Sequence, residues 1–579
     1  MLRSSRIVVS LVHSLSLSPL VLGTLAATTL VGCKDESQPE YWVDKLKDPA
    51  WQSNAVKRLE QFFEDTFTRS NKDLTSPDVK ALADKVIDPA TALYVGSYDD
   101  LDDKTRESLV KLIAAFRDKR GEPALKKSFD EFAKTGKGGE DVRWASRAQA
   151  DMKLDTLNDS IGNAFAQLKA SRVGASVYLD LKEAMVKHPS PAWSAMLKSK
   201  LDADIVPPGD GKDPTVLERF RNEQYWQTVA AQLLGELKDE SAVEPLIKVM
   251  LDPAKADVQA TAALALVKIG KPAAARAVKL VSDQDPALAA YSIARVQKAT
   301  GAKEVPKDKP YISTAAVILG VMGRPETLDP MVTALKGTSD ESTRAIIARE
   351  IAKIPPTPAS KLAFRQAYES ISLDTQIPPG ANALQTLTES SSQFYDPEFV
   401  PWLLERAEKT KGTGEDKSLL QTTALLSAIK LMKQDQVAIV GDGVKKWGSP
   451  IEKDAFQQSS GLLQACGSKE ECFLANIEKS ENQDRSKQAI GIKAGYMFGA
   501  LGNDQARGQL IDGLSSIDNA ALRFVAAQTI DFLSPKGSTD AADALEKIID
   551  KNAKTADKDK IANDEPLKQV MFRIRARAQ

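Results

Sequence analysis

Ala230-Ala231-Gln232-Leu233-Leu234-Gly235-Glu236-Leu237 is an apolar run at helical spacing, and a polar turn separates it from Val243-Glu244-Pro245-Leu246-Ile247. A second pair of apolar runs follows within 258–278, with a turn at Gly270-Lys271-Pro272 between its halves. Apolar residues three and four positions apart form one face of a helix. Two such helices joined by a tight turn, followed by two more, predict a repeat of helical hairpins.

The pattern returns elsewhere in the chain. Residues 494–533 repeat the apolar positions of 230–269 without a gap, and Gly499 falls at the position of Gly235. A further copy places Gly320 at the same position. Glycine inside a helix costs about 1 kcal/mol relative to alanine. Its recurrence therefore predicts that neighbouring helices cross closely at these three glycines.

These hairpins resemble short HEAT-like repeats, which also occur in phycobilisome-lyase-type domains, and the resemblance covers 216–350 and 455–550. It implies an all-α fold, an α-solenoid (superhelix) in which each helical hairpin packs against the next. It also implies a scaffold or partner-binding module, because most proteins with such repeats have that role. Lyase activity is not carried over by the resemblance.

Composition shifts and turn-rich stretches divide the chain into segments. The predicted divisions are a signal peptide at 1–32, a lipidated tether at 33–40, divergent N-terminal helical repeats at 41–205, a linker at 206–215, regular HEAT-like repeats at 216–355, degenerate helical repeats at 359–450, and C-terminal HEAT-like repeats with a cap at 455–579. The division predicts one long stack of hairpins behind a short tether.

The amino terminus has the pattern of an export signal. Arg3 and Arg6 precede an uncharged run that ends in Leu30-Val31-Gly32-Cys33. These four residues resemble a bacterial lipobox, in which the cysteine is lipid-modified and becomes the first residue. Cys33 is therefore the predicted lipidation site. The alternative is an uncleaved membrane anchor, which Pro19 and several serines disfavour.

Lipidation at Cys33 predicts a protein of the cell envelope, because acyl chains hold a soluble domain at a membrane surface. Lys34 follows the cysteine. By resemblance to enterobacterial sorting, a residue other than aspartate there favours the outer membrane, facing the periplasm.

Composition excludes several classes of function. The chain of 579 residues has 78 basic and 79 acidic side chains, and its aromatic content is only 6%. This balance predicts no binding to nucleic acid. With two histidines in the whole chain, His13 and His188, we expect no metal site, no cofactor and no catalytic residue.

The acidic residues Asp99, Asp100, Asp102 and Asp103 invite comparison with a calcium loop, but their spacing lacks the alternating oxygen ligands and the glycine of such a loop. Capping of a helix N-terminus is the favoured interpretation. Calcium binding stays as the alternative.

Only two cysteines remain after Cys33. In the repeat register Cys466 ends one helix and Cys472 begins its antiparallel partner. In an exported, oxidised protein such a pair is expected to form a structural disulfide. A catalytic dithiol usually has two intervening residues rather than five, and buried reduced thiols are the other alternative.

Two groups of side chains are possible contact sites. Trp226, Tyr395 and Trp402 are candidate partner contacts, with burial between helices as the favoured alternative. Three arginines close the chain, at positions 573, 575 and 577. We expect them to form an exposed charged end, and contact with anionic lipid or polymer is the alternative.

The sequence as a whole favours a membrane-anchored, non-enzymatic scaffold that binds an unknown protein partner. An enzyme or cofactor-handling protein is the alternative, with a carboxylate-lined site in the N-terminal helical region at 70–205. A purely structural spacer is a third interpretation.

Overall fold

The computed structural model describes residues 35–168, 175–209, 211–304, 309–554 and 564–579. The predicted signal peptide and Cys33 lie outside these residues. Helices make up the described chain, and its only extended pairing is one isolated bridge between Asp374 and Lys411. The predicted all-α fold is therefore confirmed.

The N-terminal part contains nine helices among the described residues. They are α1 Pro39–Lys45, α2 Gln52–Arg69, α3 Pro77–Gly96, α4 Asp103–Phe116, α5 Glu122–Thr135, α6 Gly139–Met152, α7 Asn158–Gln167, α8 Ala175–Lys187 and α9 Ser194–Asp202. The predicted linker at 206–215 overlaps the connection between α9 and the next helix.

The middle part begins with the hairpins quoted first above. Its helices are α10 Pro214–Glu236, α11 Val243–Leu251, α12 Ala256–Ile269, α13 Lys271–Val281, α14 Pro286–Thr300, α15 Pro310–Met322, α16 Leu328–Gly337, α17 Glu341–Ala352, α18 Pro358–Glu369 and α19 Gly380–Ser390. Proline occupies the first position of several of them, where its missing N–H costs little.

The C-terminal part continues the stack. Its helices are α20 Phe399–Lys409, α21 Gly414–Leu431, α22 Val437–Trp447, α23 Pro450–Cys466, α24 Glu470–Glu478, α25 Gln488–Leu501, α26 Asp504–Gly513, α27 Ala520–Phe532, α28 Thr539–Ala553 and α29 Glu565–Ala578. Side chains of the seam between successive hairpins are buried, including Leu234, Leu319 and Phe498, which are each 0% exposed.

Asp102 confirms the capping interpretation of the acidic cluster. Its side chain accepts hydrogen bonds from the backbone N–H groups of Lys104 (3.1 Å) and Thr105 (3.0 Å) at the start of α4. These bonds satisfy two of the amide donors that a helix leaves open at its first turn.

One predicted helix is wrong. The spacing in 141–171 suggests a single long helix, whereas α6 ends at Met152 and α7 begins at Asn158. Lys153 takes a left-handed conformation with φ +53°. The Gln149 side chain then bonds both backbone groups of Leu154, at 3.0 and 3.1 Å. A side chain that replaces the helical partners of the backbone ends the helix locally.

The close crossings predicted at the recurring glycines are present. A Cβ atom on Gly235 would lie 2.8 Å from the Cα atom of Ala265 in α12. At Gly499 it would meet the Tyr395 ring, and at Gly320 it would meet the side chain of Glu350. Each glycine thus lets the helix of one hairpin approach an element packed against it.

Gly235→Ala is expected to destabilise the protein by about 1–3 kcal/mol, because the added methyl group meets backbone atoms that cannot move aside. The matched control is Gly461→Ala in α23, where a Cβ would have no atom within 4 Å. That change is expected to stabilise by up to about 1 kcal/mol through helix propensity. Chemical unfolding of both variants checks the opposite signs, and equal signs would contradict the close crossing.

The last helix returns to the middle of the chain. α29 packs against its neighbours α27 and α28 and also against α12. Arg324, two residues after the end of α15, donates from Nη1 to the carbonyl of Ala576 (2.7 Å), and Arg577 donates from Nη1 to the carbonyl of Gly323 (3.0 Å). The solenoid is therefore closed on itself rather than extended as an open rod.

Eight helices form this closed circuit, here called the ring: α12, α15, α17, α19, α21, α25, α27 and α29, each in contact with the next and α29 with α12. Between α25 and α21, the buried Lys493 donates to the carbonyls of Lys430 (2.9 Å) and Met432. The ring brings residues more than two hundred positions apart into one place.

Candidate functional site

A partly open cavity of about 510 Å³, here called the lumen cavity, is lined mainly by helices of the ring. Its walls come from α12, α15, α17, α27 and α29, together with the turn that follows α19 and with Tyr496 of α25. The large apolar residues that line it are Leu264, Val267, Val321, Ile354, Phe524, Phe532 and Val570. This size and apolar lining are typical of a ligand-binding cavity.

The repeat register explains why two walls of the lumen cavity are alike. α12 contributes Ala260 and Ala263, and α27 contributes Phe524 and Ala527, which occupy the equivalent positions of the aligned repeat. The two helices thus present the same face to the lumen. The repeat pattern in the sequence predicts this face, but it does not predict the closure that brings the two faces to one cavity.

Phe524 is a large apolar residue in the wall of the lumen cavity that is unusually exposed. It remains 49% exposed, although it lies in the middle of a helix in which Leu522, Val525 and Ile530 are buried. Exposed apolar surface costs about 25 cal/mol per Å² relative to burial. A binding partner that covers Phe524 would recover this free energy.

Ion pairs lie beside the lumen cavity where α27, α29 and the end of α17 meet. Asp531 accepts from Arg573 (3.2 Å) and Arg577 (2.6 Å), and Lys353 pairs with Glu350 at 2.7 Å. Arg573 also donates to the Lys353 carbonyl at 2.8 Å. Burial lowers the pKa of Arg573, and the Asp531 carboxylate opposes that shift.

The prediction of an exposed basic end is therefore wrong. Side-chain exposures of Arg573, Arg575 and Arg577 are 16%, 22% and 1%. Arg575 pairs with Asp543 at 2.7 Å, while the other two point into the ring. Local sequence gave no sign of their partners, since Asp531 and Gly323 lie on other hairpins.

The aromatic candidates for partner contact are buried instead. Trp226, Tyr395 and Trp402 are 1%, 5% and 4% exposed. Tyr395 stacks against Phe532 with ring centroids 4.3 Å apart, and its hydroxyl lies 3.2 Å from the Thr529 hydroxyl. Burial between helices, the alternative interpretation, is confirmed for all three.

The structure places Cys466 at the end of α23 and Cys472 in the first turn of α24, with Cα atoms 5.4 Å apart and their sulfurs at disulfide-bonding distance. Cys466 is buried. This placement agrees with the repeat register, and formation of the bond in the exported protein stays a prediction.

Reduction of this pair is expected to cost about 2 kcal/mol or less, because the bond closes a very short loop. Unfolding of the protein with and without reductant, with the double variant Cys466→Ser/Cys472→Ser as reference, measures the difference. Two free thiols in non-reducing mass mapping of envelope-purified protein would contradict the disulfide.

The most buried carboxylate of the N-terminal region is already fully engaged by neighbouring side chains. This carboxylate is Asp141, with 1% side-chain exposure, and burial raises its pKa. It already accepts hydrogen bonds from Arg106 (2.7 Å), Tyr94 (3.0 Å) and Tyr98 (3.3 Å). This arrangement joins α3, α4 and α6 and does not favour the enzyme alternative.

A separate polar groove in this region is lined by three carboxylates that are each paired. Asp151 lies 2.8 Å from Arg117, Asp180 lies 2.8 Å from Arg147, and Glu183 lies 2.7 Å from Lys187. His188 contacts Asp155 at 2.8 Å. Within the described ranges, no group of three or more metal-ligating side chains occurs, and no helix is long and apolar enough to cross a membrane.

Comparisons with known proteins agree with the repeat. Residues 214–295 match the family described as HEAT repeats. A search of curated proteins finds no match. This chain therefore contains HEAT repeats within an all-α solenoid.

Solved structures with a similar arrangement include the karyopherin Kap121p bound to the extreme C-terminus of the protein phosphatase Cdc14p. It has 11% identity and a TM-score of 0.32, over 91% of this chain and 71% of that one. A structure concerning the interaction between cadherin and beta-catenin has 11% identity, a TM-score of 0.20 and coverage of 92% and 99%. Importin beta has 11% identity, a TM-score of 0.19 and coverage of 93% and 100%.

Proposed function

We propose that this chain is a cell-envelope lipoprotein that acts as a non-enzymatic HEAT-repeat scaffold for a protein partner. Acyl chains on Cys33 hold it at a membrane, with the outer membrane facing the periplasm as the favoured location. The lipobox-like Leu30-Val31-Gly32-Cys33 supports the anchor. A HEAT-repeat solenoid is a fold suited to binding other proteins.

The observation that carries the binding role is Phe524, a large apolar side chain that lies 49% exposed in the wall of the lumen cavity. Recognition sites commonly combine an apolar anchor pocket with a few polar groups. The ring holds the walls of this cavity on packed helices, so binding requires little ordering of the protein.

The anchor is tested by metabolic labelling with palmitate and by membrane fractionation. Wild-type protein is expected to carry the label and to sediment with the outer membrane, whereas Cys33→Ser is expected to lose the label. Retention of the label in Cys33→Ser would overturn the lipidation site, and recovery of the wild type with the inner membrane would overturn the favoured location.

Partner binding is tested in cells with a photo-crosslinking amino acid at position 524. The matched control carries the same group at position 179, where Leu179 is 52% exposed on α8 and does not line the lumen cavity. A discrete crosslinked species is expected at 524 and not at 179. Absence of a reproducible species at 524, or the same species at both positions, would contradict the proposal.

A further inference from the structure

Three glutamine side chains line the lumen cavity: Gln393 in the turn after α19, Gln528 in α27 and Gln569 in α29. None of their amides hydrogen-bonds to another group in the described chain. A primary amide offers two donors and one acceptor. A ligand that covers such an amide without bonding it loses about tenfold in affinity for each one left unsatisfied. The occupant must therefore supply both donors and acceptors.

The charged groups around the cavity are already balanced. The charged side chains that line it are each paired: Asp531 with Arg573 and Arg577, Lys353 with Glu350, and the 57% exposed Glu565 with Lys568 at 3.7 Å. A charged occupant would enter an apolar cavity in which these counter-ions are already engaged, and burying an unpaired charge is strongly unfavourable. The lining thus favours an uncharged occupant over a fatty-acid carboxylate or a charged peptide.

The apolar residues of the cavity wall indicate what kind of side chain the ligand presents. Phe524 stands beside an apolar surface that includes Leu264 and Phe532. A cavity of about 510 Å³ is within the range of roughly 300–1,000 Å³ that binding cavities span. It has room for one large apolar side chain together with the backbone on either side of it.

We propose that the lumen cavity binds an uncharged, extended segment of the partner polypeptide. One aromatic or branched apolar side chain of the segment packs against Phe524, and the flanking peptide groups pair with the amides of Gln393, Gln528 and Gln569. A peptide group carries one N–H donor and one carbonyl acceptor, which matches a primary amide on both counts. This inference rests on the scaffold function proposed above and names the kind of segment recognised.

The test uses the full lipidated chain in nanodiscs and a phage library of random dodecapeptides, with empty nanodiscs for counter-selection. Enriched peptides are expected to share one aromatic or branched apolar residue flanked by uncharged residues. Their affinity is expected to fall about tenfold in Gln528→Leu, which leaves a peptide group of the ligand unpaired. Phe524→Ala is expected to weaken binding by a similar factor through lost apolar contact.

The matched control is Gln457→Leu, an exposed glutamine of α23 that does not line the cavity. It is expected to bind the peptides as the wild type does, and unchanged unfolding midpoints of all three variants show that the fold is retained. Enriched peptides rich in charged residues, equal affinity in Gln528→Leu, or no enrichment over empty nanodiscs would overturn the inference. Displacement of the peptides by a neutral diacylglycerol with unchanged affinity in Gln528→Leu would identify the cavity as a lipid site.

The in-cell crosslinking experiment distinguishes a failure of the scaffold function from a failure of the proposed peptide binding. If the species crosslinked at position 524 persists at wild-type yield in Gln528→Leu while no peptide is enriched, the scaffold function stands and the assignment of the segment fails. If neither a crosslinked species nor an enriched peptide appears, both proposals fail.

Discussion

Asp531→Ala is expected to destabilise the protein by about 3–5 kcal/mol, the usual cost of removing one partner from a buried ion pair. The carboxylate is the shared acceptor for Arg573 and Arg577, and the Arg577 side chain is only 1% exposed. Without it, two guanidinium groups would be left in the ring with only carbonyl partners. Chemical unfolding and hydrogen exchange of residues 565–579 measure the loss.

The matched control for this prediction is Asp543→Ala. Asp543 of α28 pairs with Arg575 of α29, where the two side chains are 52% and 22% exposed. Glu546 lies 3.0 Å from the same guanidinium. Exposed pairs of this kind contribute at most about 1 kcal/mol. Equal losses in the two variants would show that closure of the ring does not depend on the buried pair.

Trp226→Ala is also expected to cost about 3–5 kcal/mol, the range for truncation of a large buried aromatic side chain. Trp226 is 1% exposed and meets Phe165 and Tyr225 edge to face at 5.1 and 4.7 Å between ring centroids. The contact with Phe165 of α7 joins the N-terminal helices to α10, the first helix of the regular repeats. Chemical unfolding followed by circular dichroism measures the loss.

Trp51→Ala is the control for this change, since Trp51 is 40% exposed in the N-terminal part of the chain. Its contact with Lys45, whose Nζ lies 4.9 Å from the ring centroid, limits the expected loss to about 1 kcal/mol. A small effect of Trp226→Ala on stability, combined with a lower yield of the species crosslinked at position 524, would return Trp226 to the role of a partner contact.

Several features of the fold were predictable from short stretches. Helical spacing in 230–269 and its return at 494–533 identified the hairpins and the apolar seam between them. Gly235 and Gly320 marked close approaches to the next hairpin, because only a residue without a side chain leaves room for such a contact. These properties depend on neighbours within one or two hairpins, which is the range that sequence periodicity reports.

The end of α6 at Met152 is a local feature that sequence periodicity does not predict. The apolar spacing in 141–171 continues through the turn at Lys153, where the side chain of Gln149 takes over the backbone bonds. Periodicity reports which residues face the core, but it does not report a side chain that competes with the helix for hydrogen bonds.

By itself, the amino-acid sequence determined the class of fold, the register of the repeat and the helix faces that are buried. The closure of the ring, the lumen cavity and the burial of Arg573 and Arg577 were decided by the tertiary structure. Each hairpin adds a small rotation to the stack, and these rotations sum over many repeats before α29 meets α12. A contact that depends on such a sum has no signature in any single stretch of the chain.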